Sequence, residues 1–168
     1  MIALVSGRVL LRLAVALICL LPVKLPAVTP AVSAGIRYSL FLRFDGTVFA
    51  MGDNSSGQFG NGTTTNSSTP MPVMPGVQAI STGDLSSLFL KTDGSVWATG
   101  DNYFGQLGDG SNTNRSTPVQ VMSGVQAISA GGRHSLFLKT DGSVWATGKT
   151  NSARSVPATP PTATRPCR

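Results

Sequence analysis

The sequence contains no glutamate, a single histidine and only two cysteines among its 168 residues. Zinc sites and general acid–base pairs need several histidine, cysteine or carboxylate side chains close together. A serine triad needs a base held by a buried acid, and the sequence has neither a Gly-x-Ser-x-Gly nucleophile turn nor a Gly-x-x-x-x-Gly-Lys-Ser/Thr phosphate loop. These shortages favour a protein that is not an enzyme and that holds no cofactor.

Charged residues are scarce as well, at 12% of the chain, although the formal net charge is +6. The excess positive charge lies at the two ends of the sequence. Residues Val32–Gly148 contain six basic side chains and seven aspartates, which leaves this region at −1. Nucleic-acid binding requires a concentrated basic face, and charge confined to the termini provides none. We therefore predict no nucleic-acid partner.

No apolar run is long enough to span a membrane comfortably. The run Leu13–Leu21 follows Arg8 and Arg12 and ends before Pro22. Basic residues followed by a short apolar run are typical of a secretory signal peptide. We therefore predict a signal peptide at residues 1–26, secretion or delivery to the cell envelope, and no stable membrane span. An arbitrary open-reading-frame start fused to the repeats is the alternative.

What the sequence does contain is an internal repeat with a period of 48 residues. The segment SLFLKTDGSVWATG occurs unchanged at Ser87–Gly100 and at Ser135–Gly148, and a diverged copy begins at Ser39. The polar stretches GQFGNGTTTNSSTPMPV and GQLGDGSNTNRSTPVQV keep the same spacing. A period of this length is typical of propellers and other repeat architectures. The chain holds two full repeats and just under half of a third.

Each repeat has about four strand-like runs, represented by VQAIS, SLFLKT, SVWAT and TPVQV. Their β-branched and aromatic content is typical of strands. Asp-Gly separates the second and third runs in every copy and favours a tight hairpin, because glycine accepts a positive φ and aspartate tolerates one. We predict an all-β fold, a partial β-propeller of about two and a half four-stranded blades within residues 27–148. A β-sandwich or a solenoid is the alternative.

Two segments of the repeat resemble a known family. ISAGGRHSLFL (Ile128–Leu138) and DNYFGQLGDG (Asp101–Gly110) are similar to the motifs of the regulator of chromosome condensation repeat. The histidine position of the first motif holds Tyr38, Ser86 and His134 in the three copies. The resemblance implies a seven-bladed propeller, of which this chain supplies barely two and a half blades.

The resemblance also implies a kind of function. Family members hold other proteins with loops at the rims of a rigid propeller. The best-known members act as nucleotide exchange factors on a small GTPase and dock on chromatin, and a secreted bacterial relative inhibits β-lactamases. Because a fold does not carry its function with it, we expect only an exported, non-enzymatic interaction module with an unknown protein partner. A nucleotide exchange regulator and a truncated product without independent function are the alternatives.

The long polar loops are the predicted contact surface, since loops on a rigid scaffold often carry binding residues. The predicted contact residues are Gln58, Asn61, Asn66, Tyr103, Gln106, Asp109, Asn112 and Arg115.

Other candidate sites have simpler structural interpretations. His134 has no partners for catalysis or metal binding, so we expect it to pack in its blade and to bond to the backbone there. The stretch Asp109–Asn114 lacks the glycine and the glutamate that a calcium loop requires. Trp97 and Trp145 occupy one strand position, and we expect both to be buried between blades.

The tail from Lys149 to Arg168 has no strand pattern. It begins where the third repeat should continue with Asp-Asn and then Gly-Gln-Leu-Gly. We predict that residues 149–168 are either disordered or an out-of-frame reading of a continuing propeller. Two blades and a hairpin leave unpaired strand edges, so self-association through those edges is a further expectation.

Overall fold

The computed structural model describes residues 28–149, and every regular element in this range is a β-strand. Eleven strands form three antiparallel sheets that follow one another along the chain. The described range contains no helix that is long and apolar enough to cross a membrane. The predicted signal peptide and all of the predicted tail beyond residue 149 lie outside the described residues.

Each sheet corresponds to one repeat, and its strands lie side by side in chain order. The first sheet consists of β1 (Ala31–Ala34), β2 (Tyr38–Leu42), β3 (Val48–Gly52) and β4 (Ser67–Met74). The second consists of β5 (Val77–Thr82), β6 (Ser86–Lys91), β7 (Val96–Gly100) and β8 (Arg115–Met122). The third consists of β9 (Val125–Ala130), β10 (His134–Lys139) and β11 (Val144–Gly148). A four-stranded meander at a fixed repeat is a propeller blade, so the predicted all-β partial propeller is confirmed.

The Asp-Gly dipeptides form the predicted hairpins between the second and third strands of each blade. In the first blade, Arg43 N–H donates to Thr47 O and Gly46 N–H donates to Arg43 O, each at 3.0 Å. Three residues, not two, therefore form the loop. Gly46 has a φ of +79°, and the equivalent Gly94 and Gly142 have +78° and +82°. This left-handed conformation closes a three-residue hairpin, and glycine adopts it without steric cost.

Side chains alternate across a strand, so each blade has two faces, and the second blade buries its two faces against different neighbours. Leu40 of the first blade shares a buried cluster with Phe89 of the second, and Leu88 of the second shares one with Phe137 of the third. The leucine face consists of Leu40, Leu42 and Val48 in the first blade, of Leu88, Leu90 and Val96 in the second, and of Leu136, Leu138 and Val144 in the third. The phenylalanine face consists of Val32, Phe41 and Phe49, then of Ile80, Phe89 and Trp97, and finally of Ile128, Phe137 and Trp145.

A polar loop of each complete blade reaches the next blade and fastens the two together. Ser87 Oγ donates to the carbonyl oxygen of Gln58 at 2.7 Å, and Thr99 Oγ1 donates to the carbonyl oxygen of Gly57 at 2.8 Å. Ser135 and Thr147 make the same two bonds to the second-blade loop, both at 2.7 Å. We name this pair of bonds the loop clasp. The four hydroxyls belong to the unchanged segment of the repeat, so its identity preserves the contact with the preceding blade.

Candidate functional site

The long polar loops all emerge at one edge of the propeller segment. In an antiparallel meander, every second connection lies at the same end of the strands, so the β1–β2 and β3–β4 connections lie together. The equivalent connections of the second and third blades lie at this same edge of the propeller segment. We name this edge the loop rim. Its residues are 35–37, 53–66, 83–85, 101–114, 131–133 and 149. The Asp-Gly hairpins lie at the opposite edge.

A buried asparagine holds each long loop in shape. Asn102 is fully buried, and its Nδ2 donates to Asp109 Oδ1 at 2.9 Å and to Ser111 O at 3.0 Å. Its Oδ1 accepts a hydrogen bond from Leu107 N–H at 3.0 Å. Asn54 makes equivalent bonds in the first-blade loop. Sequence reasoning missed these two residues, although the Asp-Asn dipeptide at the start of both loops was a usable signal.

The two glutamines among the predicted contact residues lie beneath the loops. Gln106 is 1% exposed, and its Nε2 donates to Asp101 Oδ2 at 2.6 Å. Gln58 is fully buried, and its Nε2 has no hydrogen-bond partner among the described residues. The equivalent carboxylate, Asp53, accepts bonds from Ser55 instead. Both glutamine side chains support their loops from inside rather than facing solvent.

Asp109 of the second-blade loop forms an ion pair with Arg115, the first residue of β8, with Arg115 Nη2 2.7 Å from Asp109 Oδ2. The Asp109 side chain is 2% exposed. Burial is the largest single influence and raises the pKa of Asp109. Hydrogen bonds from Arg115, Ser111 and Asn102 together outweigh it, so the pKa lies below its ordinary value. The carboxylate is therefore charged and paired inside the loop at neutral pH.

Three predicted contact residues are asparagines. Asn66 Oδ1 accepts from Asn54 N–H at 2.7 Å, and Asn61 Oδ1 accepts from Thr63 N–H at 3.1 Å. Asn112 is exposed on the second-blade loop. The loops thus use most of the predicted side chains for their own structure, and contact of these loops with a partner stays a prediction.

Tyr103 is the predicted residue that presents a large ring to solvent, with 70% of its surface exposed. The ring meets Phe104 edge-on, with the two centroids 4.9 Å apart. Arg133 and Lys149 of the third blade approach Phe104, with their charged groups 5.0 and 5.1 Å from the ring centre. Neither cation forms an ion pair within residues 28–149. We name these four residues the aromatic patch.

Sequence reasoning found only Tyr103 of this patch. The missed signal was a difference between repeats, because the first-blade loop has Ser55 and Ser56 where the second has the aromatic pair. Arg133 and Lys149 come from the third blade, and only the packing of blades brings them to the second-blade loop. The patch is therefore a product of tertiary structure.

The single histidine does not belong to the patch. The ring of the half-buried His134 lies over Gly131, where any side chain would collide with it. At the equivalent position of the first blade, the Tyr38 hydroxyl donates to the carbonyl oxygen of Ser86 in the next blade, at 2.5 Å. In the first blade, the side chain at this motif position thus reaches across the interface to the following blade. The expectation that His134 bonds to the backbone within its own blade stays a prediction.

A cavity of about 300 Å³ opens on the loop rim where the turns after the first strand of each blade meet. Its walls are mainly glycine and alanine, and Asp84 is the only ionisable residue among them. Nowhere in the described part of the chain do three His, Cys, Asp or Glu side chains form a group that could hold a metal ion. The aromatic patch therefore offers more recognition chemistry than the cavity.

Comparison with known protein families gives a consistent match along the repeats. A family model described as "Regulator of chromosome condensation (RCC1) repeat" matches residues 45–90 and 93–138. A second model with the same description matches residues 31–58, 77–106 and 125–153. A search of curated protein sequences finds no significant match.

Solved structures show the same fold. Human WBSCR16 is 24% identical with a TM-score of 0.67, and the match covers 75% of this chain and 35% of that protein. Yeast RCC1 (Prp20) bound to Kap60 is 25% identical with a TM-score of 0.64, and the match covers 78% of this chain and 32% of Prp20. This chain thus spans about a third of the length of these proteins. Because the repeat models match more than half of its residues, the chain belongs to the regulator of chromosome condensation (RCC1) repeat family.

Proposed function

We propose that this chain is an exported, non-enzymatic protein-interaction module that binds an acidic segment of a partner protein at the aromatic patch. RCC1-type repeat propellers are protein-interaction modules, and the proposal concerns where and what this one binds. One observation carries it. An exposed aromatic ring, Tyr103, lies beside Phe104 and two cations that have no ion-pair partner in the described range.

The two aromatic rings supply apolar contact area on a rigid support. Tyrosine offers a large amphipathic surface at a low cost in side-chain entropy, and it is enriched in protein interfaces. The loop that carries Tyr103 begins at the buried Asn102, whose side-chain bonds hold it in one conformation. A preordered loop loses little conformational freedom on binding, which favours affinity.

The two cations determine the charge of the partner. Arg133 stands where the second blade has Leu85, and Lys149 stands where the first two blades have Asp53 and Asp101. The first blade also has an arginine, Arg37, at the position of Arg133, so it is the pair of cations that is particular to the third blade. A carboxylate of the partner can bind these two cations, and a neighbouring apolar side chain of the partner can cover the aromatic rings. Opposite charges at an interface favour both specificity and the rate of association.

The solved relatives support a protein partner. Yeast RCC1 (Prp20) was crystallised with Kap60, and a second structure of Prp20p was studied for its binding to Gsp1p and histones. The second structure is 25% identical, with a TM-score of 0.64, and the match covers 78% of this chain and 33% of that protein.

Labelled acidic peptides that each contain one leucine or phenylalanine test the patch directly, with fluorescence anisotropy as the measurement. Peptides in which lysine replaces every acidic residue are the charge control. We expect dissociation constants of about 1–100 μM for the acidic set and at least about tenfold weaker binding to the variant Tyr103→Ser/Phe104→Ser. This variant copies the first-blade loop. The matched control Ser55→Ala/Ser56→Ala should bind normally, whereas equal binding of acidic and basic peptides contradicts the proposal.

Export is the second part of the proposal, and it is supported by Arg8, Arg12 and the apolar run Leu13–Leu21. Fractionation of producing cells, with mass spectrometry of the protein's N-terminus, tests it independently of peptide binding. We expect a shortened chain outside the cytoplasm. An uncleaved chain that accumulates in the cytosol contradicts export and leaves the patch to be judged by the peptides alone.

A further inference from the structure

Two identical segments of this chain lie in different environments. In the first copy, Leu88 and Val96 are fully buried. In the second copy, the equivalent Leu136 and Val144 are 37% and 68% exposed. Because the segments have the same sequence, only their place in the propeller accounts for the difference. The leucine face of the third blade has no cover within the described residues.

The structure shows twice what covers a leucine face. Leu40 packs in one cluster with Phe89, which is fully buried, and Leu88 packs in one cluster with Phe137, which is 1% exposed. In both cases the cover is the phenylalanine face of the following blade. A phenylalanine face is therefore the surface that complements the uncovered leucine face of the third blade.

An open phenylalanine face of this kind lies at the other end of the described segment. Val32 pairs with Phe41 across the first two strands, and Val32 is 79% exposed. Its counterparts Ile80 and Ile128 are only partly exposed and pack against the clusters between blades. The first blade thus presents uncovered apolar side chains where the second and third blades make contact.

We infer that the leucine face of the third blade binds the phenylalanine face of the first blade in a second copy of this chain. This head-to-tail contact goes beyond the proposed function, which concerns the loop rim. The described residues of each copy form two four-stranded blades and one three-stranded blade, so two copies supply six. Propellers with about four to eight blades are known. A head-to-tail contact closes into a ring when the rotation between copies matches. The predicted self-association is thereby placed on blade faces rather than on strand edges.

The contact between copies differs from the contacts within one chain because it lacks at least one of the two bonds of the loop clasp. Met51 occupies the position of Thr99 and Thr147, so the first blade lacks one of the two clasp hydroxyls. After Gly148 the sequence continues Lys-Thr-Asn-Ser instead of Asp-Asn, and no Gly-Gln-Leu-Gly follows. The contact therefore rests mainly on apolar burial, and we expect it to depend on protein concentration.

Sedimentation velocity of the purified protein measures this association. Between about 1 and about 100 μM, we expect the mass to rise from that of one chain to that of two and then to stop. A single chain at every concentration overturns the inference, whether the face stays free or another part of the same chain covers it. Growth beyond two copies without a limit overturns the closed ring.

Two variants distinguish a specific contact between the two faces from non-specific association. Val144→Asp places a charge on the leucine face and Val32→Asp places one on the phenylalanine face, both at exposed positions where folding tolerates a charge. Each variant alone should remain a single chain. An equal mixture should form a one-to-one complex, because each variant keeps one intact face. Phe44→Asp, at a 66% exposed hairpin residue outside both faces, is the control and should pair like the parent.

Circular dichroism and thermal unfolding confirm that each variant is folded before the mixing experiment is interpreted. If folded Val144→Asp and Val32→Asp proteins fail to combine, or if Phe44→Asp abolishes pairing as they do, the head-to-tail contact is wrong.

Discussion

The hydroxyl of Tyr38 in the first blade donates a 2.5 Å hydrogen bond to the carbonyl oxygen of Ser86, its counterpart one repeat later. Tyr38 is 3% exposed, and burial raises the pKa of its hydroxyl above the ordinary value, so the group stays a neutral donor. Gly83 N–H also donates to the same oxygen, at 2.7 Å. The acceptor therefore keeps one partner even without the tyrosine.

Substitutions at Tyr38 separate the hydrogen bond from the packing of the ring. Tyr38→Phe removes only the hydroxyl, and we expect the free energy of unfolding in urea to fall by about 1 kcal/mol. Tyr38→Ser copies the second repeat but also empties the space of a buried ring, and it should cost about 3–5 kcal/mol. Equal losses for the two variants would show that the ring contributes no packing between the blades.

Thr99 tests the loop clasp. Its hydroxyl lies 2.8 Å from Gly57 O and 2.5 Å from Arg115 O. Thr99→Val keeps the shape and removes the donor, so we expect a loss of about 1–2 kcal/mol in urea unfolding. Thr147→Val is the matched comparison in the third blade and should cost less, because it leaves one carbonyl oxygen without this donor, whereas Thr99→Val affects two that share one proton. A double-mutant cycle of Thr99→Val with Ser87→Ala should show coupling, since both fasten one loop.

Asn102 tests whether the buried scaffold of a loop controls binding at a distance. Asn102→Ala removes several buried hydrogen bonds, and we expect a loss of about 2–3 kcal/mol in the free energy of unfolding. Binding of acidic peptides should weaken as well, because the loop that carries Tyr103 loses its support. Asn54→Ala is the control: it should destabilise the first-blade loop by a similar amount and leave peptide affinity unchanged. Equal effects of the two variants on affinity contradict this role.

The ion pair between Asp109 and Arg115 can be tested against the first blade, which has uncharged residues at the same two positions. Arg115→Ala leaves the Asp109 carboxylate buried without its cation, and we expect a loss of about 1–3 kcal/mol. The double variant Asp109→Asn/Arg115→Ser reproduces Asn61 and Ser67 of the first blade, so it should recover most of that loss. If it is no more stable than Arg115→Ala, the buried charge is not what makes the single substitution costly.

The same carboxylate predicts a dependence of stability on pH. The pKa of Asp109 in the folded protein lies below the ordinary value of about 3.9, so the unfolded chain takes up the proton first as the pH falls. The contribution of the Asp109 carboxylate to the free energy of unfolding is therefore complete above about pH 5, and it is lost as the pH drops through the pKa of the folded state. Urea unfolding between about pH 6 and 3 should show a shallower loss for Asp109→Asn than for the parent. A parallel pH dependence would contradict this assignment.

The aspartates of the Asp-Gly hairpins do not affect the comparison of pH dependence between the parent and Asp109→Asn. Asp45, Asp93 and Asp141 also have lowered pKa values. In Asp93 and Asp141 the main cause is the hydrogen bond from the serine two residues on, and in Asp45 it is the backbone N–H of Thr47. All three carboxylates are present in both proteins, so their contributions cancel in the difference between parent and variant.

Much of the fold could be predicted from the sequence because its determinants are local. Alternation in SLFLKT and SVWAT defines strands with two faces, and Asp-Gly defines the turn between them. The burial of individual loop residues was harder to predict from the sequence, because polar residues in a loop are usually exposed. Gln58 and Gln106 are instead buried by a neighbouring blade, and Arg133 and Lys149 meet the aromatic pair only through that same packing.

The sequence by itself determined the repeat, its strands and turns, and the family to which the chain belongs, since each depends on residues close together in the chain. Tertiary structure alone decided which residues are exposed. Leu88 and Leu136 have identical neighbours in sequence, yet the first is fully buried and the second is 37% exposed. Burial depends on contact with residues of the next blade, and no local pattern records whether that blade is present.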